Sequence, residues 1–273
     1  VDGEGKAMHK SLGNGMDPAE IFDKYGADLL RLWAGSADYH VDVRCSDAIF
    51  QQLSQNYLKF RNTSKFCLDN LVGFNPDELV APADMLELDK WAVTRLNGLI
   101  EKVFGWYDNY EFHGVYRAIY NFCVVDMSNF YLDIIKDRLY CGDDADRAAA
   151  QTALHQILDG MTRMLAPMLA FTSEEIWAAM PHAKADEASC VLLNDIPDYN
   201  EKLCLSPELS AQWDKVIALR TDVNKALEAA RGQKLVGKSL DAEVTLYLTA
   251  EGKKAFDAMG QHDLAAVCIV SKV

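Results

Sequence analysis

No stretch of the 273 residues stays apolar for the roughly 18–20 positions a membrane-spanning helix needs, so the sequence excludes such a span. Positive charge is scarce: 27 Lys and Arg stand against 41 Asp and Glu, a formal net charge of −14. That balance argues against nonspecific coating of nucleic acid, which runs on neutralised phosphates. It leaves room for a local basic patch. Closely spaced cysteine pairs are missing too. The seven cysteines (Cys45, Cys67, Cys123, Cys141, Cys190, Cys204 and Cys268) form no CxxC, so no zinc site can be drawn from them. They read as free, mostly buried thiols of a reducing compartment, which places the chain in the cytoplasm. The polar start Val1-Asp2-Gly3-Glu4-Gly5 has no signal-peptide character. Beginning at Val1 and ending in the apolar Val267-Cys268-Ile269-Val270, the chain reads as a piece excised from something longer.

What is present is ordinary for a folded protein: 50% hydrophobic and 25% charged residues, without repeats or low-complexity segments. The length suggests one to three domains. Residues 1–16 read as a loop. Asp17-Pro18 opens a first helix that Gly26 ends, and a second follows over 27–36. The 3.6-residue apolar spacing predicts long helices over about 46–71, 87–109, 112–136 and 144–165. Pro167 breaks the last of these, and Thr172 is expected to cap a short helix at 173–180. Long striped helices joined by short loops predict a mainly α fold, an antiparallel bundle. Residues 181–205 read as irregular, with a short strand at 190–193. Ser206-Pro207 opens a further helix to about Arg231. Alternation over 242–248, a helix at 251–259 and a strand at 266–272 then suggest a small α/β domain beyond a boundary near 200.

Chemistry is easiest to seek in residues 3–14. Small residues with Lys6 and Lys10 suit a polyphosphate, because mobile ammonium groups meet charge on oxygen. A P-loop is excluded, since His9 stands where Gly must precede Lys-Ser. The competing reading is a solvated surface loop. Two stretches are locally basic: 56–65 with Lys59, Arg61 and Lys65 and no acid, and 224–240 with Lys225, Arg231, Lys234 and Lys238 against Glu228 alone. Each is equally a solvated face. Lys136 and Arg138 sit among Asp133 and Asp137 and read as an internal salt-bridge network. His113, His155 and His182 lack partners at ligand spacing, so no metal site is assigned. The five tryptophans fall on helical stripes and read as core.

Ala7-Met8-His9-Lys10-Ser11, followed by Leu12-Gly13-Asn14, resembles the Lys-Met-Ser-Lys-Ser signature of class I aminoacyl-tRNA synthetases. Tyr25-Gly26-Ala27-Asp28-Leu29-Leu30-Arg31-Leu32-Trp33, Arg61-Asn62-Thr63, Phe130-Tyr131-Leu132-Asp133, Phe171-Thr172-Ser173-Glu174-Glu175-Ile176-Trp177 and Gly237-Lys238-Ser239-Leu240 extend the likeness over the chain. They favour the isoleucyl-tRNA synthetase family over the valyl, leucyl and methionyl relatives. The resemblance implies a class Ia anticodon-binding helix bundle at 46–200, preceded by the signature loop and a helical connector at 1–45 and followed by the helix and small α/β junction domain at 201–273. It implies an isoleucine–tRNA ligase that uses ATP and Mg to activate isoleucine and charges tRNA-Ile, as a monomer, with no DNA or membrane partner. Lys6, Met8, His9, Lys10 and Ser11 would then meet ATP, with Lys10 catalytic. Lys59, Arg61, Lys65, Lys225, Arg231, Lys234 and Lys238 would meet tRNA. Ala7 and His9 depart from the signature, which shifts more of the burden to Lys10. The family's nucleotide-binding signature and editing region are absent from the sequence, so the fragment alone is expected to make no adenylate. The alternatives are a fragment of a valyl or other class Ia enzyme, or an acidic helical protein-interaction module with no role in RNA binding.

Overall fold

The computed structural model describes residues 1–197, 201–257 and 264–273, with side chains left out at 255 and 256. The chain opens with a loop that closes on a one-turn 3-10 helix, Lys10–Leu12. Helix α1 (Pro18–Tyr25) starts where the carboxylate of Asp17 accepts from the Ala19 amide. Gly26 adopts φ 84° between α1 and α2 (Ala27–Ser36), a value that a side chain would strain. Ile21 of α1 packs with Cys45 and Phe50, from the chain beyond α2, in a small core.

The bundle follows. Helices α3 (Asp47–Asn70) and α4 (Glu87–Asp108) are joined by the proline-containing loop. After α5 (Phe112–Asn121) the backbone widens into a π-helical stretch, Phe122–Tyr131, and continues through α6 (Leu132–Ile134) and α7 (Lys136–Cys141). The sequence predicted one uninterrupted helix here. This stretch buries Phe122, Cys123, Met127, Phe130 and Tyr131 together, a spacing that fits one helical face, so the sequence pattern does not distinguish the wider turn. Helix α8 (Asp144–Leu165) is the most enclosed, with Leu154, Ile157, Leu158, Met161 and Met164 fully buried. Gly160 lets α4 approach it: a Cβ there would stand 3.2 Å from Leu96.

Helix α9 (Ala170–Ala179) begins earlier than expected, and Thr172 is not its cap. That position is filled from outside the helix, as described below. Helix α10 (Pro207–Gly232) is capped by Ser206. It joins the bundle through Trp213, which lies 6.3 Å from Trp91 and 6.5 Å from Phe130 between ring centroids.

No strand occurs among the described residues, so the expected α/β character of the last segment is corrected. Residues 191–193 form a 3-10 turn rather than a strand. Residues 242–248 form no strand. Val244 and Leu246 pack on a small core of Val223, Leu227, Ala242, Cys268 and Val270, and that packing satisfies their two-residue alternation. One parallel bridge, Glu243 to Lys272, is all the ladder that forms. Helix α11 (Ala250–Asp257) precedes α12 (Leu264–Cys268), which stands where a strand was expected and buries Val267 and Cys268. A five-residue apolar run does not distinguish helix from strand by period alone. The end of the expected helix at 258–259 lies outside the described residues.

Candidate nucleic-acid interface

The N-terminal loop is ordered by two polar side chains. Asp2 Oδ1 accepts from the amides of Glu4 (3.0 Å) and Lys6 (2.8 Å), and its Oδ2 accepts from Asn14 Nδ2 at 3.0 Å. Asn14 also donates to the Ala7 carbonyl and accepts from the His9 amide at 2.9 Å. Asn14 foremost, then these amides, holds the Asp2 carboxyl below the ordinary aspartate range. The Val1 amine donates to Val43 O, and Cys45 N to Val1 O, both at 2.9 Å, which tie the loop base to the bundle entrance. On this frame Lys6, Met8, His9, Lys10 and Ser11 are all exposed. Lys6 pairs with Glu4 at 2.8 Å. Lys10 starts the 3-10 turn and makes no ion pair among the described residues. The loop therefore presents one uncompensated ammonium at its tip.

The first basic stretch lies on α3. Arg61 and Lys65 are one turn apart and share a face, whereas Lys59 lies about 200° round the helix from Arg61. Lys65 is bound by Asp69 at 2.7 Å. The three cations thus do not converge, and the apparent absence of acid came from a window ending four residues short.

The second stretch ends α10 in an ordered cap rather than a flexible loop. Lys234 takes φ 58°, its amide bonding Arg231 O at 2.9 Å, while Leu235 N reaches back to Ala230 O at 3.0 Å. This is the paired bonding of a left-handed helix cap, with lysine where glycine is usual. Lys225 pairs with Asp222 at 3.0 Å, and Arg231 with Glu228 and the Ser239 hydroxyl. The Lys238 amide is taken by Asp241. Lys234 and Lys238 keep exposed side chains.

The most organised polar element escaped sequence reading. From α2, the buried Asp28 carboxylate accepts from Thr172 N (2.7 Å), Thr172 Oγ1 (2.6 Å) and Phe171 N (3.3 Å), which caps α9. One turn along, Arg31 donates to the carbonyls of Met168 (3.0 Å) and Pro167 (2.6 Å). An anion thus faces a helix start and a cation the carbonyls past a helix end, the favourable sense for both dipoles. Tyr57 of α3 meets Thr172 Oγ1 at 3.0 Å. This joint fixes the loop-bearing α1–α2 unit on the bundle. Its partners lie more than 130 residues away, so no local spacing announces it. Elsewhere, Arg163 bridges Asp159 (2.8 Å) and Asp186 (2.7 Å) and lies over the Trp177 ring, which pins residues 181–197 to α8. No cluster of three or more His, Cys, Asp or Glu able to hold a metal ion occurs among the described residues. No described helix is long and apolar enough to cross a membrane.

An exposed lysine loop, a clamped connector and a helix bundle can be compared with known proteins. Residues 1–46 match the family described as tRNA synthetases class I (I, L, M and V). Residues 89–246 match the family described as anticodon-binding domain of tRNA ligase. Over the whole chain it is 48% identical to the isoleucine–tRNA ligase of Caldanaerobacter subterraneus subsp. tengcongensis and 46% to that of Bacillus mycoides. The chain spans 29% of the length of each. A solved ternary complex of Agrobacterium radiobacter LeuRS with tRNA and LeuAMS aligns at TM-score 0.57 and 24% identity, covering 76% of this chain and 24% of that one, a likeness of fold. With more than half its residues inside the second match, the chain belongs to the anticodon-binding-domain family of tRNA ligases.

Proposed function

We propose that this chain is the tRNA-binding part of an ATP-dependent isoleucine–tRNA ligase. Residues 1–45 form its signature loop and connector, 46–200 its anticodon-binding bundle, and 201–273 the segment that follows. The observation that carries this reading is near-half identity to isoleucine–tRNA ligases along the entire chain. In the reaction of that family, the isoleucine carboxylate attacks the α-phosphate of ATP and pyrophosphate leaves. Negative charge grows on the phosphate oxygens, and Lys10 is the group placed to meet it. Its exposure and lack of a carboxylate partner suit a loop that closes on substrate. Lys6 is the weaker candidate, since Glu4 already holds it. Met8, His9 and Ser11 would shape the same contact. No residue of this chain is assigned to Mg.

On the tRNA side, Arg61 carries an uncompensated charge from α3, with Lys59 on another face and Lys65 shared with Asp69. Lys234 and Lys238 do the same beyond α10, with Lys225 and Arg231 drawn into ion pairs. Such cations position phosphates, and base reading then needs unstacked loop bases. The partner is tRNA-Ile, bound by a monomer.

Two measurements test the reading. In the full-length protein that carries this segment, Lys10→Ala should lower pyrophosphate exchange about a hundredfold or more, the usual size for a lost charge-stabilising donor. An unchanged kcat removes Lys10 from the reaction. Binding of tRNA-Ile should fall linearly on a log–log salt plot. Equal affinity for a scrambled anticodon loop would instead favour an acidic interaction module.

A further inference from the structure

The groove between α4 and α5 carries a cationic surface separate from both basic stretches. It encloses about 490 Å³, inside the roughly 300–1,000 Å³ typical of ligand clefts. Small residues form part of its walls: Gly98 on α4, Gly114 and Ala118 on α5. A Cβ at Gly98 would meet nothing within 4 Å, whereas one at Gly114 would stand 2.8 Å from the Trp106 ring. Gly114 therefore sets how closely the two helices meet, and Gly98 faces open groove.

Arg95 and Lys102, two turns apart on α4, line the groove from one side, and Arg117 of α5 from the other. Seven residues of helix set Arg95 and Lys102 about 10 Å apart along the axis. Positive charge spread over that length matches a run of phosphates better than one compact anion. A single carboxylate of the lining, Asp126 from the π-helical stretch, opposes the three cations. It holds Arg95 at 3.3 Å and is 16% exposed. Lys102 and Arg117 are exposed and make no ion pair among the described residues. The groove is thus net positive on a chain of net charge −14, and all three of its cations are exposed.

We propose that the α4–α5 groove is an additional RNA contact, which takes the phosphodiester backbone of the tRNA against Lys102 and Arg117 with Arg95 braced by Asp126. This rests on the tRNA reading above and adds a surface to it. The test uses the full-length protein and a tRNA-Ile transcript, with affinity measured across a salt series. Lys102→Ala with Arg117→Ala should weaken binding roughly tenfold to a hundredfold and make the log–log slope shallower by about 2. Asp126→Asn removes the opposing charge and should tighten binding. Gly98→Glu sets a carboxylate into open space, so it should weaken binding without lowering the melting temperature. It thereby separates groove chemistry from folding. If the paired substitution and Gly98→Glu leave affinity and slope unchanged while Arg61→Ala weakens binding, the groove proposal is overturned and the tRNA reading stands. If the unaltered protein fails to bind tRNA even at low salt, the tRNA reading itself falls, and the groove with it.

Discussion

Replacing Asp89 by alanine should unfold this bundle more readily than any single surface change. The carboxylate is fully buried and receives three donors: Arg138 NH1 at 2.8 Å, Arg138 NH2 at 2.9 Å and the Tyr131 hydroxyl at 2.8 Å. Arg138 is itself only 15% exposed, and it also meets Asp146, at the carbonyl (3.1 Å) and at the carboxylate (3.8 Å). Burial, with the Asp89 charge next to it, raises the Tyr131 phenol well above its ordinary range, so that hydroxyl stays a donor at every working pH. Asp89→Ala leaves a largely buried guanidinium facing only the more distant, half-exposed Asp146 carboxylate, a loss of about 3–5 kcal/mol. The phenol loses its acceptor as well, but the two effects share one network and do not add. About 4 kcal/mol is the working figure. At roughly 2–4 °C per kcal/mol, the figure for 150–250 residues and an upper one for this chain of 273, the melting temperature should fall by up to about 8–16 °C. Tyr131→Phe, which leaves the bidentate pair intact, should cost only about 1 kcal/mol. Thermal unfolding followed by circular dichroism measures both. An Asp89→Ala loss under about 1 kcal/mol would refute the reasoning, because it would mean that water or another acceptor replaces the carboxylate at no cost.

Asp28→Ala should cost about 2–3 kcal/mol, since it removes a helix cap and leaves the buried Thr172 amide without its acceptor; a melting temperature equal to that of the unaltered protein would dissolve the joint. Lys234→Gly relieves a left-handed backbone at φ 58° and should stabilise by about 1 kcal/mol. The same change should weaken tRNA binding if the ammonium touches phosphate, so stability and affinity should move in opposite directions; a fall in both refutes the cap. Asp126 gives a pH signature. Burial, opposed by Arg95 and Lys102, raises its carboxyl above the ordinary value of 3.8, so the folded state prefers the neutral acid. Relative to Asp126→Asn, the unaltered protein should therefore match the variant at pH below about 4 and lose stability as pH rises through the raised value. A difference in melting temperature that is constant with pH would exclude this.

Much of the helical framework was readable because its signals are local. Asp17-Pro18 and Gly26 bracket α1, and the apolar stripe of α8 ends where the sequence places it, at Leu165. Signals at a distance were not readable. Arg138 directly follows Asp137 and lies five positions after Asp133, yet it crosses to Asp89, 49 residues away; Lys136 keeps the local partner, Asp133 at 2.6 Å. Thr172 looks like a cap from its neighbours, but Asp28 supplies the cap because tertiary packing brings a stronger acceptor. Alternation over 242–248 signals half-burial, and a helix can provide the buried side as well as a sheet can. Which cations of the two basic stretches stay unpaired was not readable for a related reason. Side chains on a helix pair three or four positions apart, so Asp69 and Asp222, outside the windows counted, decide whether Lys65 and Lys225 are free.

The same argument resolves the conflict between an acidic chain and the RNA partner proposed for it. Many carboxylates are spent on the fold: Asp2 orders the loop, Asp17, Asp28 and Asp143 serve helix starts, and Asp159 and Asp186 hold Arg163. Their charge counts in the total, but its reach through salt solution is only about 8 Å under physiological conditions. A phosphate approaching the α4–α5 groove is governed by Lys102, Arg117 and the partly neutralised Asp126–Arg95 pair. One approaching the tip of the N-terminal loop is governed by Lys10. The sign of the surface that an RNA meets is set by which cations the fold leaves without a carboxylate. Raising the salt concentration should therefore weaken tRNA binding in proportion to those few side chains, not in proportion to the overall charge.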